Sequence, residues 1–125
     1  MKISPQDKKD LLIEALSYIQ RFRNQIIVIK YGGAAMIEEA LKTSFAQDIV
    51  LLQSLGMRPV VVHGGGPEVS KVIQSLGQEV TFVDGLRVTT AENLKVAEMV
   101  LSGNLNKEII AHLQTFGGKA VGLSG

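Results

Sequence analysis

Ile26-Ile27-Val28-Ile29-Lys30-Tyr31-Gly32-Gly33 and Pro59-Val60-Val61-Val62-His63-Gly64-Gly65-Gly66-Pro67 are built alike: an apolar run, a polar residue or two, then a glycine turn. The apolar runs do not alternate with polar residues, which is the pattern of strands in a parallel sheet covered on both faces. Each glycine turn leads straight into a helical pattern. Glycine lets the backbone come close to a ligand, and a helix start offers unpaired N–H groups at the positive end of its dipole. Lys30 stands at the mouth of the first turn. A lysine beside two backbone anion cradles points to phosphoryl chemistry.

Working outward, Ser4-Pro5 with Asp7 reads as a helix start. Leu12, Leu16, Ile19 and Phe22 recur at helical spacing, and Ile13 and Tyr18 lie off that stripe, so this helix is expected to bury more than one face. It precedes the first strand and is an appendage to it. A helix is predicted from about Met36 to Leu55, with Leu41, Phe45, Ile49, Leu52 and Leu55 as its stripe and Gly56 as its stop. A shorter one follows Pro67 and closes at Gly77. Glu79 to Val83 reads as an edge strand or hairpin arm ending at Asp84-Gly85. Thr89-Thr90-Ala91-Glu92 reads as a capping box for a helix to about Ser102, Asn104 starts another that ends at Phe116, and Val121 lies in a last strand. The order predicts the α/β class: a three-layer αβα sandwich with a mainly parallel central sheet and helices on both faces. Residues 1–23 form the N-terminal helix and 24–125 the domain proper. Lys119 to Gly125 looks like a strand entering a turn where a domain would continue, so the chain is expected to be the N-terminal part of a longer protein.

Composition narrows the function. The 125 residues are 46% apolar and 20% charged with a net charge of +1, which gives no case for nucleic acid or a membrane surface. The absence of cysteine excludes disulfides and thiol catalysis, and two histidines leave little material for zinc; no metal site is expected. No apolar run approaches the ~20 residues of a membrane helix, and the polar N-terminus has no signal-peptide core. The expected location is cytoplasmic.

In an open parallel sheet, ligands bind at the C-terminal strand ends, where both glycine turns fall. Neither turn is a G-x-G-x-x-G fingerprint or a G-x-x-x-x-G-K-[ST] loop, and a single Gly-Gly turn would read as a tight connection. Five glycines at two equivalent strand ends favour a ligand. Lys30 alone would read as a solvated lysine; beside Gly32-Gly33 it sets an ammonium against transferring phosphoryl oxygens. Arg87, in Gly85-Leu86-Arg87-Val88-Thr89, is either a surface arginine or a planar fork for a carboxylate. His63 reads as a packing or hydrogen-bonding residue, and His112 is assigned nothing. Capping and solvation explain Asn104 and Lys107. Tyr18 reads as a core aromatic, and Glu38, Glu39 and Asp48 as helix-surface residues.

Taken jointly, these segments resemble the amino-acid kinase family, in its branch acting on N-acetyl-L-glutamate. Ile27 to Met36 looks like that branch's first loop, Val61 to Pro67 like its second, and Gly85 to Thr89 like its substrate-binding segment. The resemblance covers essentially the whole chain. It implies ATP-dependent phosphorylation of the γ-carboxylate of N-acetyl-L-glutamate to an acyl phosphate, the second step of arginine biosynthesis. ATP enters as co-substrate with Mg2+, with no prosthetic group and no covalent enzyme intermediate. By that resemblance Lys30 stabilises the transferring phosphoryl group, and Gly32 and Gly33 lie near the ATP phosphates. Gly65 and Gly66 are backbone donors to acetylglutamate, and Arg87 clamps its α-carboxylate. Leu12 to Phe22 is similar to the extra helix of arginine-inhibited members, with Tyr18 matching an aromatic there. That implies L-arginine as feedback inhibitor and a homo-oligomer, dimers paired into a hexameric ring; a helix packed on its own subunit is the alternative. A PII-type protein is a partner in some lineages. Family members are twice this length or more, and their nucleotide pocket, second phosphoryl-stabilising lysine and organising aspartate are not located here, so the chain alone is expected to be inactive. The rivals are another amino-acid kinase (carbamate, glutamate, aspartate or uridylate), a sensor module without catalysis, and a Rossmann domain, which the missing fingerprint disfavours.

Overall fold

Ser4 accepts the Asp7 N–H at 3.1 Å and Pro5 fills the first turn, so helix α1 begins where its cap directs and runs Pro5–Phe22. The computed structural model describes residues 3–125. None of the α1 residues is buried; Leu12 is 64% exposed and Tyr18 53%. The expectation that α1 buries more than one face is therefore overturned. The chain is fastened just after the helix, where Asn24, in the left-handed region at φ 63°, donates to Gly56 O at 2.7 Å.

Strands β1 (Ile26–Tyr31) and β2 (Arg58–His63) pair in parallel, in register from Ile26↔Arg58 to Tyr31↔His63. Between them come a 3-10 turn (Gly33–Met36) and helix α2 (Glu39–Ser54), which starts three residues later than expected because that turn intervenes. Gly56, at φ 85°, ends the helix and turns the chain into β2. One face of the strand pair is covered: Ile29 and Val61 pack with Phe45, Ala46 and Ile49 of α2 and with Ile109 and Leu113 of a later helix. The Tyr31 ring stacks on Phe45 at 3.8 Å. On the opposite face Val28 is 67% exposed and Val62 54%. The α/β class and the parallel pairing are as expected, but among the described residues helices cover only that one face.

A second core joins α3 (Gly66–Ser75) to α4 (Ala91–Glu98) and a π-helical turn (Met99–Leu105) through Val69, Ile73, Val96, Val100 and Leu105. Met36 packs against it and so ties the first glycine turn to these helices. Between α3 and α4 stands a hairpin of β3 (Thr81–Val83) and β4 (Leu86–Val88), turned by Asp84 and Gly85 at φ 50° and 77°.

Three further features differ from the sequence reading. The cap of α4 is Thr90, whose side chain accepts the Asn93 N–H, because the helix starts one residue later than the Thr89 box implies. Asn104 starts no helix. The π turn carries the chain without a break into α5 (Asn106–Thr115), with Gly103 inside the turn. Residues 118–125 form no strand. The Gln53 amide bonds both Lys119 O (2.7 Å) and Lys119 N (2.9 Å), taking the place of a neighbouring strand, and an open cleft of about 1010 Å3 is lined by both β2 and this segment.

Ile73 is 0% exposed at the centre of the second core. Ile73→Ala is expected to lower unfolding free energy by about 2–5 kcal/mol in urea titration.

Candidate functional site

Parallel register brings the two glycine turns to one level. Tyr31 pairs with His63, and Gly64 N donates to Tyr31 O at 2.8 Å, so both turns leave neighbouring strand ends. Lys30 lies opposite Val62 on the exposed face and makes no ion pair among the described residues. Lys30, Gly32, Gly33, Gly65 and Gly66 therefore share one end of the sheet. Tyr18 does not join them, because α1 enters β1 at the opposite end.

The glycines differ in why they are glycines. Gly33 sits at φ 61°, where a side chain is strained, and Gly32 is extended at φ −177°. A Cβ on either meets nothing within 4 Å. Gly65 precedes α3 at φ 149°, and a Cβ there would collide with Leu105 Cδ1 and lie 2.7 Å from Leu101 Cδ2. The π turn leans on Gly65, so packing forbids a side chain. Gly66 opens α3, and a Cβ on it meets nothing. No contact inside the chain demands glycine at 32 or 66; both leave open space over backbone that a ligand can approach.

Arg87 reaches the second turn. From β4 its Nη2 donates to Gly66 O at 2.8 Å and to Ser70 Oγ at 2.7 Å, and its guanidinium lies 4.9 Å over the Phe82 ring. Both Nη2 hydrogens are thereby used, while Nη1 is buried without a partner. Of the two readings of Arg87, the surface arginine does not hold: one prong of its guanidinium is bound to α3 and the other is buried without a partner.

His63 and Asn106 form a connection that the sequence reading missed. His63 Nδ1 lies 2.8 Å from Gly64 O, and Asn106 Nδ2 lies 3.3 Å from His63 Nε2. Asn106 also donates to Leu123 O at 3.3 Å and accepts from Lys107 Nζ at 3.1 Å. Asn106 is 9% exposed, one of two buried polar residues among those described. The sequence offers one hint: a short amide next to Leu105 on an otherwise apolar helix face.

On the covered side of the sheet, Lys42 bonds Glu39 at 2.8 Å and faces Glu108 at 3.6 Å, beside a cavity of about 60 Å3 lined in part by Tyr31 and His112. Burial pushes the Tyr31 phenol above its ordinary value; Lys42 pulls it down, and Glu108 and Glu39 raise it. The bond between them holds the Glu39 carboxyl below its ordinary value and the Lys42 ammonium above its own. Of this group, Tyr31 reaches both glycine turns: its carbonyl accepts from Gly64 N at 2.8 Å and its hydroxyl donates to Ala35 O at 3.0 Å.

The chain matches the family model described as the amino acid kinase family over residues 25–125. It is 56% identical over 119 residues to the acetylglutamate kinase of Geobacter sulfurreducens, covering 95% of this chain and 41% of that protein. It is 54% identical to that of Vesicomyosocius okutanii (92% and 37%) and 56% identical to that of Methanocaldococcus jannaschii (95% and 40%). It thus spans about two fifths of the length of these curated relatives. Among solved structures, smu.665 of Streptococcus mutans UA159 superposes with TM-score 0.69 at 30% identity, over 77% of this chain and 38% of that one. N-acetylglutamate synthase of Neisseria gonorrhoeae, complexed with coenzyme A and N-acetyl-glutamate, superposes with TM-score 0.64 at 26% identity, over 86% and 24%.

The two glycines of the second turn are expected to separate on substitution. Gly65→Ala combines a strained φ with a collision and lowers stability by about 2 kcal/mol or more. Gly66→Ala leaves stability unchanged or raises it by up to about 1 kcal/mol, while filling the space a ligand would use. Urea titration of both variants checks this.

Proposed function

The chain belongs to the amino acid kinase family, and from that premise we propose that it forms the acetylglutamate-holding part of an ATP-dependent kinase that makes N-acetyl-L-glutamyl 5-phosphate. The observation that carries this reading is the second glycine turn. Its Gly65 and Gly66 N–H groups donate to no protein acceptor among the described residues, and Arg87 is fastened to the same turn. The names of the curated relatives support the choice of substrate.

The chemistry asks little covalent work of the protein. A γ-carboxylate oxygen of the substrate attacks the γ-phosphorus of ATP; the P–O bond to ADP breaks, and ADP leaves with the electron pair. The carboxylate is already ionised at neutral pH, so no general base is needed. Catalysis then consists of alignment and charge stabilisation. In this reading Gly65 and Gly66 hold acetylglutamate through backbone N–H groups, and the Arg87 guanidinium, fastened to the same turn, supplies the positive charge for its α-carboxylate. Gly32 and Gly33 approach the ATP phosphates, with Mg2+ accompanying the nucleotide. Lys30 sets a point charge beside the transferring phosphoryl oxygens. With these residues on one side of the phosphoryl path, the chain by itself binds acetylglutamate and does not turn over.

The exposed apolar residues of α1, Leu12, Leu16 and Tyr18 among them, suit pairing with a second copy. We extend the proposal to α1 as an oligomerisation helix, in an assembly inhibited by L-arginine and, in some lineages, bound by a PII-type protein.

Three measurements test these readings. Calorimetry is expected to show N-acetyl-L-glutamate binding the chain, unacetylated glutamate not binding, and Arg87→Ala weakening affinity about tenfold or more. The longest reading frame beginning with this chain is expected to release ADP with the acetylated substrate only. Release with carbamate, glutamate, aspartate or a nucleotide acceptor instead moves the reading to another branch, and binding without release moves it to a sensor. Leu12→Asp is expected to shift sedimentation to smaller species without changing the fold seen by circular dichroism; unchanged assembly removes the role given to α1.

A further inference from the structure

We propose that His63, locked in a single tautomer by Asn106, is a positioning residue that aims the Gly65 N–H into the ligand space. The proposal rests on the reading of Gly65 as a donor and adds what holds that donor in place.

A carbonyl oxygen only accepts hydrogen bonds, so His63 Nδ1, 2.8 Å from Gly64 O, carries the ring proton. Nε2 of the neutral ring is then an acceptor, and Asn106 Nδ2 supplies its donor at 3.3 Å. The orientation of the Asn106 amide is set by two other partners. Leu123 O can only accept, which requires nitrogen on its side, and Lys107 Nζ can only donate, which requires oxygen on the other. The opposite His63 tautomer would turn a proton toward an amide N–H and leave Gly64 O unpaired.

The consequence lies in the peptide plane. In a trans peptide the C=O and the next N–H point in opposite directions. Tying Gly64 O back to the imidazole therefore turns the Gly65 N–H away from it. The same device recurs once: Gly65 O accepts Val69 N at 3.0 Å, which turns the Gly66 N–H the other way, while Gly66 O, ahead of Pro67 with no N–H to aim, accepts Arg87 Nη2 at 2.8 Å. All three glycine carbonyls are bound, and the N–H groups of Gly65 and Gly66 are left without a partner among the described residues. Glycine peptides reorient at little cost, so without such ties the turn would swing an oxygen toward an anionic ligand.

Asparagine and glutamine separate the two ring nitrogens: an Asn amide nitrogen reaches the place of Nδ1, and a Gln amide nitrogen the place of Nε2. His63→Asn is expected to bind N-acetyl-L-glutamate within about threefold of the parent chain, and His63→Gln to lose about tenfold. Nitrogen NMR of the imidazole in the parent chain is expected to show only the Nδ1–H form, and Asn106→Ala to let the ring exchange between forms. The Gly65 amide resonance should move in His63→Gln and stay in His63→Asn. An Nε2–H ring in the parent chain, or equal behaviour of the Asn and Gln variants at the Gly65 amide, overturns the proposal. If the parent chain binds no N-acetyl-L-glutamate, the ligand reading falls, and the tautomer and the Gly65 amide still decide the positioning role by themselves.

Discussion

The parallel register of β1 on β2 is the constraint from which the rest of the site follows. Six pairs, from Ile26↔Arg58 to Tyr31↔His63, set which residue of one strand ends level with which residue of the other. Side chains alternate between faces, so a slip of one residue would exchange the two sides of β1. Lys30 would turn into the apolar layer of Phe45, Ala46 and Leu113, and Tyr31 would lose its stack on Phe45. Burying a lone ammonium there costs far more than the slip could return. The tyrosine inside and the lysine outside therefore fix the register, and the register brings Gly32-Gly33 and Gly64-Gly65-Gly66 side by side.

The second turn is held by a different part of the chain. Leu101 and Leu105 both approach Gly65, and the next residue, Asn106, meets His63. The π turn at Met99–Leu105 carries Leu101 and Leu105 against Gly65 and leads directly into Asn106, and Gly103 lies within it. Apolar packing and polar positioning thus come from consecutive residues. A perturbation of the π turn would reach the glycine N–H groups through Gly65 and through His63 alike.

Much of the fold was legible because apolar runs and punctuation are local signals. The Ile26–Tyr31 strand, the Asp84-Gly85 hairpin turn and the helix stop at Gly56 all coincide with the sequence reading. The failures are where a distant partner decides. Asn104 reads as the start of a new helix after one that runs to about Ser102, but burial of Val100 and Leu105 against α3 keeps the helix continuous. Lys119 to Gly125 has strand-like residues, yet it pairs with no strand among the described residues, and the Gln53 amide takes the N–H and C=O of Lys119. Within the site, glycines and lysine were visible as types at their strand ends. The ties from His63 to Gly64 and from Arg87 to Gly66 were not, since a sequence does not show which carbonyl a donor will find 2.8 Å away.

The bare face of the strand pair carries one further consequence. Ile26, Val28, Val60 and Val62 are apolar and exposed, and Lys30 continues their row at the end that holds the glycine turns. A strand written to face water on one side would alternate with polar residues; this one does not. The same residues that make the strip adhesive border the lysine. Covering the strip would remove water from around Lys30 and lower the local dielectric, and each ångström of separation between its ammonium and a phosphoryl oxygen would then count for more. On the role proposed for Lys30, apolar burial along this row strengthens the charge at its end.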